Sequence, residues 1–482
     1  MSNFAKYLLK NSENEKKKVF LNQKIRYSEL TLIIKNFYQN VLRNHKNQII
    51  GLSIDLSEEF LILYLSIIYS GNTVILLERG LSNERYIEIC KEFKVNFLFI
   101  DKKIENKNLK IIKDNFNEFN FNQSLNQIKL YSIVQKRKSL YINKDVAIIM
   151  LTSGSTGLKK GVMLTHQNLI SNTNSILKSL PIKKTHIVNL PLPVSYSYGL
   201  SVLNSHLKIK AKIYIHNSPY VGSIVTELKN FKCNSFYGVP STFEILMTKT
   251  NFMKEKYHYL DYISQAGGPL SISLKKKLIE KFKNKFYVMY GATETSPRLS
   301  VISGNKLKSK INSIGKPIAG VKFKLIKIKN SKNYELAAKG KNIMKGYFGD
   351  PALTKRKIKN GYFLTGDIAY KDKDGYYYIK KRLDKIIKRY GFKVNLNLVE
   401  NTVKKITYVK YVKIFLSSED KLILIVQTKK NMFKKTKKLI EKDLSIKFAR
   451  YEIPDEIILT NKSLISYKRK LSLEEIYKLV LK

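Results

Sequence analysis

The sequence lacks the residues that support a disulfide framework or a zinc site. Its two cysteines, Cys90 and Cys233, are isolated and have no metal-binding spacing. Long hydrophobic runs are also missing, since the longest strongly apolar run, Phe60–Tyr69, is too short to span a bilayer. The polar N-terminus has no sustained apolar core of the kind found in signal peptides. We therefore expect a cytoplasmic protein without a membrane span.

Acidic residues are scarce: 37 Asp and Glu stand against 89 Lys and Arg, which gives a formal net charge of +52. This much positive charge could bind nucleic acid or an anionic membrane. However, the lysines are scattered along the chain, and it has neither an arginine-rich tail nor an RNA-binding aromatic signature. A solvated basic surface explains the composition better, and we expect nucleic acid not to be a partner. The positive field can still assist the capture of small polyanions.

The length of 482 residues exceeds a single compact core, so two or more domains are expected. From Ile49 onward, strand-like runs alternate with helical ones, which is typical of a parallel α/β sheet covered by helices. The segment Lys102–Lys138 is polar and rich in Asn, and we expect it to form a surface excursion.

One stretch, residues 147–169, joins an apolar strand to a helical pattern through a loop of small residues and reads AIIMLTSGSTGLKKGVMLTHQNL. Gly154 and Gly157 allow a tight turn that brings backbone N–H groups close to an anion, and Lys160 adds a positive charge. Hydroxyl donors come from Thr152, Ser153, Ser155 and Thr156. The glycine spacing is not that of a Walker motif. The pattern favours a phosphate-binding loop, and the alternative is a strand–helix turn that does no chemistry.

This loop resembles the phosphate-binding loop of the adenylate-forming superfamily, which includes acyl-CoA synthetases, adenylation domains and luciferases. The family usually has Thr-Gly-x-Pro-Lys-Gly, and residues 156–161 here read Thr-Gly-Leu-Lys-Lys-Gly. Lys159 therefore takes the proline position and Lys160 the lysine position. Further blocks follow in the family's order and extend the resemblance over nearly the whole chain.

Two of these blocks imply binding surfaces for the acid and for the base. The segment 188–207, rich in Pro and Tyr, matches the stretch that lines the acyl pocket in the family. The resemblance implies an acyl pocket lined by Tyr196, Ser197, Tyr198, Gly199 and Gln265. It also implies that the loop of Gly267, Gly268 and Pro269 packs against adenine, where glycines permit close backbone approach.

The segment 290–294 reads YGATE and matches the family's Tyr-Gly-x-Thr-Glu. The resemblance implies that Tyr290 and Gly291 border the nucleotide and that Thr293 contacts the α-phosphate. It assigns Glu294 to Mg²⁺, and oxygen ligation by a carboxylate, phosphates and water suits that ion. Without the resemblance, a lone carboxylate there would be read as a helix-capping residue.

The resemblance also divides the chain into an N-terminal domain, 1–380, and a C-terminal lid, 381–482, with a hinge near 381–385. It implies that Asp367 accepts hydrogen bonds from both ribose hydroxyls and that Arg382 reaches the ribose or a phosphate. Asp384 would be the hinge residue, and Gly391 would lie near the thiol channel. Within the lid, the pattern predicts strands at Val412–Leu416 and Leu422–Gln427 and a helix over Lys434–Ile446.

The family's catalytic lysine falls in the last segment, SLISYKRKLSLEEI from Ser463, where Lys470 fits best and Lys468 is the alternative. Lys470, Lys160 and Thr293 are thus the expected catalytic residues. The predicted fold class is α/β, with a large N-terminal domain of layered α/β subdomains, a β-rich subdomain and a small mobile α+β lid.

The resemblance implies an AMP-forming ligase that activates a small-molecule carboxylic acid with ATP and Mg²⁺ and transfers the acyl group to CoA. An alternative is loading of an acyl or aminoacyl group onto the phosphopantetheine of a separate carrier protein in trans. A further alternative is a catalytically degenerate protein that binds polyanions. The sequence does not determine which acid is used.

Overall fold

The computed structural model describes residues 3–78, 83–101, 116–119, 128–133, 144–153, 159–329, 331–383, 386–390, 392–417 and 421–462. The chain divides into two compact units, one comprising residues 1–152 and 160–383 and the other comprising residues 153–159 and 384–482. No helix among the described residues is both long and apolar enough to cross a membrane.

The first unit contains two large sheets. In the described part of the chain, the first sheet has eight strands: β1 (Ile49–Ser53), β2 (Thr73–Leu76), β3 (Phe97–Asp101), β4 (Phe116–Phe119), β5 (Ile128–Ile133), β6 (Val146–Ser153), β7 (Lys159–Thr165) and β17 (Gly346–Tyr347). Their order is β17-β7-β6-β2-β1-β3-β5-β4. The central strands β6, β2, β1 and β3 run parallel. Because parallel sheets need cover on both faces, β1 is apolar and buried along its whole length.

Strands β4 and β5 belong to the segment expected to be a surface excursion. They extend the sheet as antiparallel strands, with β5 pairing to β3 and β4 pairing to β5. The sequence analysis did not predict these two strands, although aromatic and β-branched residues, as in IKLYSI, favour a strand.

The second sheet contains the remaining strands of the first unit: β8 (Ile187–Leu190), β9 (Lys212–Ile215), β10 (Ser235–Gly238), β11 (Tyr262–Gln265), β12 (Phe286–Gly291), β13 (Arg298–Ser303), β14 (Ser313–Pro317), β15 (Val321–Lys327), β16 (Tyr334–Gly340), β18 (Ile358–Lys359), β19 (Tyr362–Lys371) and β20 (Tyr377–Arg382). Strands β9, β8, β10, β11 and β12 are parallel. From β13 onward the pairing is antiparallel. The sheet thus joins a parallel half to a β-rich half.

Helices cover the two sheets of the first unit: α1 (Phe4–Leu9), α2 (Tyr27–Phe37), α3 (Glu58–Tyr69), α4 (Asn83–Glu92), α5 (His166–Ser179), α6 (Ser197–Lys208), α7 (Ser223–Asn230), α8 (Pro240–Lys249), α9 (Ile272–Phe282), α10 (Gly304–Leu307) and α11 (Pro351–Lys357). Short 3₁₀ turns span Lys283–Lys285 and Thr293–Thr295, and a π turn spans Tyr38–Leu42. Helix α3 is buried on nearly every side. The largest core cluster joins α3 to α1, α5, α6 and strands of both sheets.

The second unit is a separate α+β body. A hairpin of β21 (Ile386–Arg389) and β22 (Phe392–Asn395) precedes α12 (Leu396–Lys404), and β23 (Tyr411–Leu416), β24 (Leu422–Gln427) and β25 (Glu456–Thr460) form a three-stranded sheet. Helix α13 (Phe433–Lys447) packs against this sheet, and 3₁₀ turns span Lys430–Met432 and Arg450–Glu452. The mixed α/β fold class predicted from the sequence is confirmed.

Candidate active site

The strands on either side of the predicted phosphate loop lie side by side in the first sheet. Strand β6 ends at Ser153, and β7 begins at Lys159. Thr152, one residue before the end of β6, is buried, with 8% of its surface exposed. The ammonium of Lys160 lies 5.8 Å from the centre of the Tyr347 ring. Gly154, Ser155, Thr156 and Gly157 lie outside the described residues, so their assigned role stays a prediction.

Tyr347 connects this strand to the predicted metal ligand. Strand β17 pairs antiparallel with β7, so that Tyr347 stands opposite Val162. The phenol of Tyr347 donates a hydrogen bond to Oε1 of Glu294 at 3.1 Å, and the Glu294 carbonyl accepts from the N–H of Met344 at 2.9 Å. Glu294 is 6% exposed. Its carboxylate is therefore held in place close to the return strand of the phosphate loop.

Glu294, the predicted metal ligand, offers a single buried carboxylate. In the ranges that the structure describes, no group of three or more His, Cys, Asp and Glu side chains could enclose a metal ion. A protein site of this kind supplies one carboxylate and leaves the other positions to phosphate oxygens and water, which is how Mg²⁺ is commonly bound with nucleotides.

The hydroxyls of Ser197 and Thr293 meet at 3.1 Å. Ser197 is the first residue of α6, and Thr293 begins the short 3₁₀ turn that also carries Glu294. The preceding Gly291 leaves no space for a side chain, because a Cβ there would lie 2.0 Å from the carbonyl oxygen of Pro297. Glycine at this position lets the turn fold back and present Thr293 and Glu294 on one side.

The predicted acyl pocket and the predicted adenine loop are joined by Gln265. Its Nε2 donates to the carbonyl of Gly268 at 2.7 Å, and Gly267 has a positive φ of 93° that favours glycine. Tyr198 lies with its phenol oxygen 3.3 Å from Oγ of Ser264, one residue before Gln265. Burial raises the pKa of Tyr198 to about 12. The other residues predicted for the pocket and the adenine loop are sequence neighbours of these: Tyr196 and Gly199 flank Ser197 and Tyr198, and Pro269 follows Gly268.

Asp367 lies where β19 and β20 pair, directly opposite Arg382. Nη1 of Arg382 donates to Oδ1 of Asp367 at 2.8 Å, and the phenol of Tyr290 donates to Oδ2. Burial, with the negative charge of Asp367 second, raises the pKa of Tyr290 well above its usual value. Each carboxylate oxygen has a second lone pair, so both can still accept a hydroxyl.

Besides the four loop residues, four further predicted residues fall outside the described residues: Lys470, its alternative Lys468, Asp384 and Gly391. Conversely, two residues of the site were not identified from the sequence, Tyr347 and Arg298. Arg298 is 2% exposed, and its guanidinium carbon lies 5.2 Å from the centre of the Tyr198 ring. Neither residue stands out in the sequence, because only the fold places Tyr347 against Glu294 and Arg298 against Tyr198.

Comparison with known proteins identifies the class to which this fold and site belong. The family model described as AMP-binding enzyme matches residues 10–348, and the chain belongs to this family. Among curated proteins, it is 34% identical over 298 residues to probable 4-coumarate–CoA ligase 2 of Dictyostelium discoideum, a match that covers 57% of this chain and 51% of the relative. The chain thus spans about half the length of the curated relatives it matches.

Two solved structures show the same fold along the chain. Amide bond synthetase McbA of Marinactinospora thermotolerans has a TM-score of 0.84 at 13% identity, covering 100% of this chain and 99% of its own. The o-succinylbenzoate CoA synthetase MenE of Bacillus subtilis, as a double mutant bound to a product analogue, has a TM-score of 0.78 at 19% identity, covering 99% of this chain and 98% of its own. These similarities establish the architecture.

Proposed function

We propose that the protein activates a carboxylic acid with ATP to an acyl-adenylate and then transfers the acyl group to a thiol, most simply that of CoA. The observation that carries this proposal is a convergence within the first unit. Separate sequence blocks meet in three contacts: Tyr347 with Glu294, Ser197 with Thr293, and Arg382 with Asp367. A match to a relative named as a CoA ligase also supports this activity.

In the first step, a substrate carboxylate oxygen attacks the α-phosphorus of ATP, and the bond to pyrophosphate breaks. Both reactants are anions, so positioning and charge neutralisation carry most of the catalysis. Asp367 holds the ribose hydroxyls, Thr293 contacts the α-phosphate and Lys160 faces the phosphates. Mg²⁺ held by Glu294 would neutralise phosphate charge when bound. Lys470 would supply a further positive charge from the C-terminal unit.

In the second step, a thiolate attacks the acyl carbon, and AMP leaves with the electron pair of the broken C–O bond. We propose that the second unit, whose boundary in the fold falls after Leu383, rotates about Asp384 between the two steps. This motion would withdraw Lys470 and bring Gly391 toward the thiol. Because the acceptor is not fixed by these residues, a carrier-protein phosphopantetheine in trans is the second candidate. A cytoplasmic location stays a prediction.

The test is release of pyrophosphate from ATP and Mg²⁺ with fatty, aromatic, hydroxy, amino and dicarboxylic acids. Lys470→Ala should abolish release, whereas Lys468→Ala serves as the matched control and should retain most of it. Adding CoA, or a pantetheinylated carrier protein, to the active acid then shows which thiol is acylated. Absence of release with every acid, together with salt-dependent nucleic-acid binding, would replace this proposal with the polyanion-binding alternative.

A further inference from the structure

Arg298 is a buried arginine next to the predicted acyl pocket, and it forms no ion pair with any carboxylate that the structure describes. Arg298 begins β13 and stands opposite Gly291 of β12. Its backbone is fixed on both sides by the Asn172 amide, which accepts from the Arg298 N–H at 3.1 Å and donates to the Arg298 carbonyl at 2.8 Å. With only 2% of its surface exposed, the side chain is held inside the fold and does not extend into solvent.

The side chain of Arg298 has an unpartnered buried nitrogen. Its Nε is buried without a hydrogen-bond partner, and within the described ranges no carboxylate forms an ion pair with it. Arg389, which is also buried, likewise has an unpartnered Nε, but its guanidinium pairs with Asp455 and donates to the carbonyl of Ile453 at 3.0 Å. Burial lowers the pKa of Arg298, yet a guanidinium remains charged in proteins. An unpaired buried charge of this kind is costly to stability.

The guanidinium of Arg298 lies over the Tyr198 ring, with its central carbon 5.2 Å from the ring centre. A cation over an aromatic face offsets part of the cost of burial, but it leaves the N–H fork without acceptors. Tyr198 is half-buried and belongs to the predicted acyl pocket, so Arg298 contacts a residue of that pocket. The neighbouring Ser197 hydroxyl turns instead to Thr293, the residue assigned to the α-phosphate. At the start of α6, Ser197 thus contacts the residue assigned to the α-phosphate, whereas the next residue, Tyr198, contacts Arg298.

We propose that Arg298 determines substrate specificity by binding a second carboxylate of the acid, so that the enzyme activates a dicarboxylic acid. This inference rests on the proposed adenylation activity. The planar fork of an arginine accommodates a carboxylate with two parallel hydrogen bonds, one of which would satisfy the unpartnered Nε of Arg298. The carboxylate that reacts is not the one bound there, because pairing it with arginine would stabilise the ground state and reduce its nucleophilicity.

The test compares acids that differ only in the second carboxylate, namely glutarate with valerate and o-phthalate with benzoate. The wild type should favour the diacid by at least 100-fold in kcat/KM for pyrophosphate release. Arg298→Met, which keeps the length and apolar contact, should reduce this preference to within five-fold, and Arg298→Lys should give an intermediate value. The control Arg43→Met replaces an exposed arginine and should leave the preference unchanged.

A preference for the monoacids, or an unchanged diacid preference in Arg298→Met, would overturn the proposal. Thermal melting separates a binding role from a structural one: diacid should raise the Tm of the wild type and not that of Arg298→Met, while the Tm without ligand should not fall in the variant. A large fall in that Tm would assign Arg298 to stability instead. If no acid releases pyrophosphate, adenylation fails, and a diacid-dependent Tm shift that requires Arg298 still supports the anion site, whereas its absence rejects it.

Discussion

Arg382 donates to Asp367 across a strand pair, and this places a positive charge on one oxygen of the carboxylate while Tyr290 donates to the other. Asp367→Asn should therefore weaken ATP binding at least ten-fold by calorimetry. The carboxamide of asparagine has one acceptor oxygen in place of two, and its NH₂ group would face the donor of either Arg382 or Tyr290.

Asp372→Asn provides the matched control for this change. Asp372 directly follows the same strand and pairs with Lys310 at 2.7 Å, outside the contacts assigned to nucleotide. It should leave ATP affinity within two-fold of the wild type. Equal weakening by both variants would show that the effect is general loss of charge, and the ribose assignment of Asp367 would be wrong.

Glu294→Gln should raise the Mg²⁺ concentration for half-maximal pyrophosphate release at least ten-fold, because an amide oxygen binds Mg²⁺ more weakly than a carboxylate. Tyr347→Phe removes the hydrogen bond that orients the carboxylate, a loss of about 1–3 kcal/mol. Its Mg²⁺ requirement should rise by a smaller factor. Identical Mg²⁺ titrations for the wild type and both variants would remove Glu294 from the metal site.

Asp384→Pro should preserve adenylate formation and impair thioester formation, because proline fixes φ and restricts rotation at the proposed hinge. Asp384→Ala keeps backbone freedom and is the control. Pyrophosphate release and CoA consumption, measured separately, report the two half-reactions. Equal loss of both in Asp384→Pro would refute the hinge assignment.

Acid should destabilise the first unit through His206. This histidine is fully buried in α6, its Nδ1 lies 2.8 Å from the Val202 carbonyl, and burial lowers its pKa to about 4. The unfolded chain, with a pKa near 6.5, binds the proton more readily, so the free energy of unfolding should fall as the pH drops from about 6.5 to 4. The full loss is about 3 kcal/mol.

Urea unfolding at several pH values measures this loss. His206→Gln cannot gain the charge and should show a smaller fall between pH 6.5 and 4, whatever its stability at neutral pH. His258→Gln, at an exposed position, should keep the slope of the wild type. An unchanged slope in His206→Gln would exclude His206 as the source of acid sensitivity.

Local sequence pattern was sufficient for much of the fold. The predicted strand Leu422–Gln427 has those bounds in the structure, and the predicted helix Lys434–Ile446 is one residue shorter at each end than Phe433–Lys447. Here the period of the apolar residues reports directly which face is buried. The strands β4 and β5 were missed because their pairing with β3 depends on residues distant in the chain.

The residues of the candidate site also fall into two groups, those that the sequence predicts and those that only the fold reveals. Short motifs that match the family, such as YGATE, can be recognised in the sequence, which is why the resemblance nominates Gly291 and Glu294. The side chains that contact such residues in the folded protein cannot be nominated in this way. Tyr347 contacts Glu294 only because β17 pairs with β7, and Arg298 resembles any surface arginine until its burial against Tyr198 is seen.

The pairing of Tyr347 with Val162 has a consequence for biosynthesis. The strand that returns from the phosphate loop is made early, whereas the strand that joins it to Glu294 and the hairpin that carries Asp367 and Arg382 are made much later. A growing chain released before Arg382 cannot contain the complete proposed nucleotide site. Contacts of such long sequence separation also form slowly. The appearance of ATP affinity during synthesis or refolding would therefore mark the completion of the first unit.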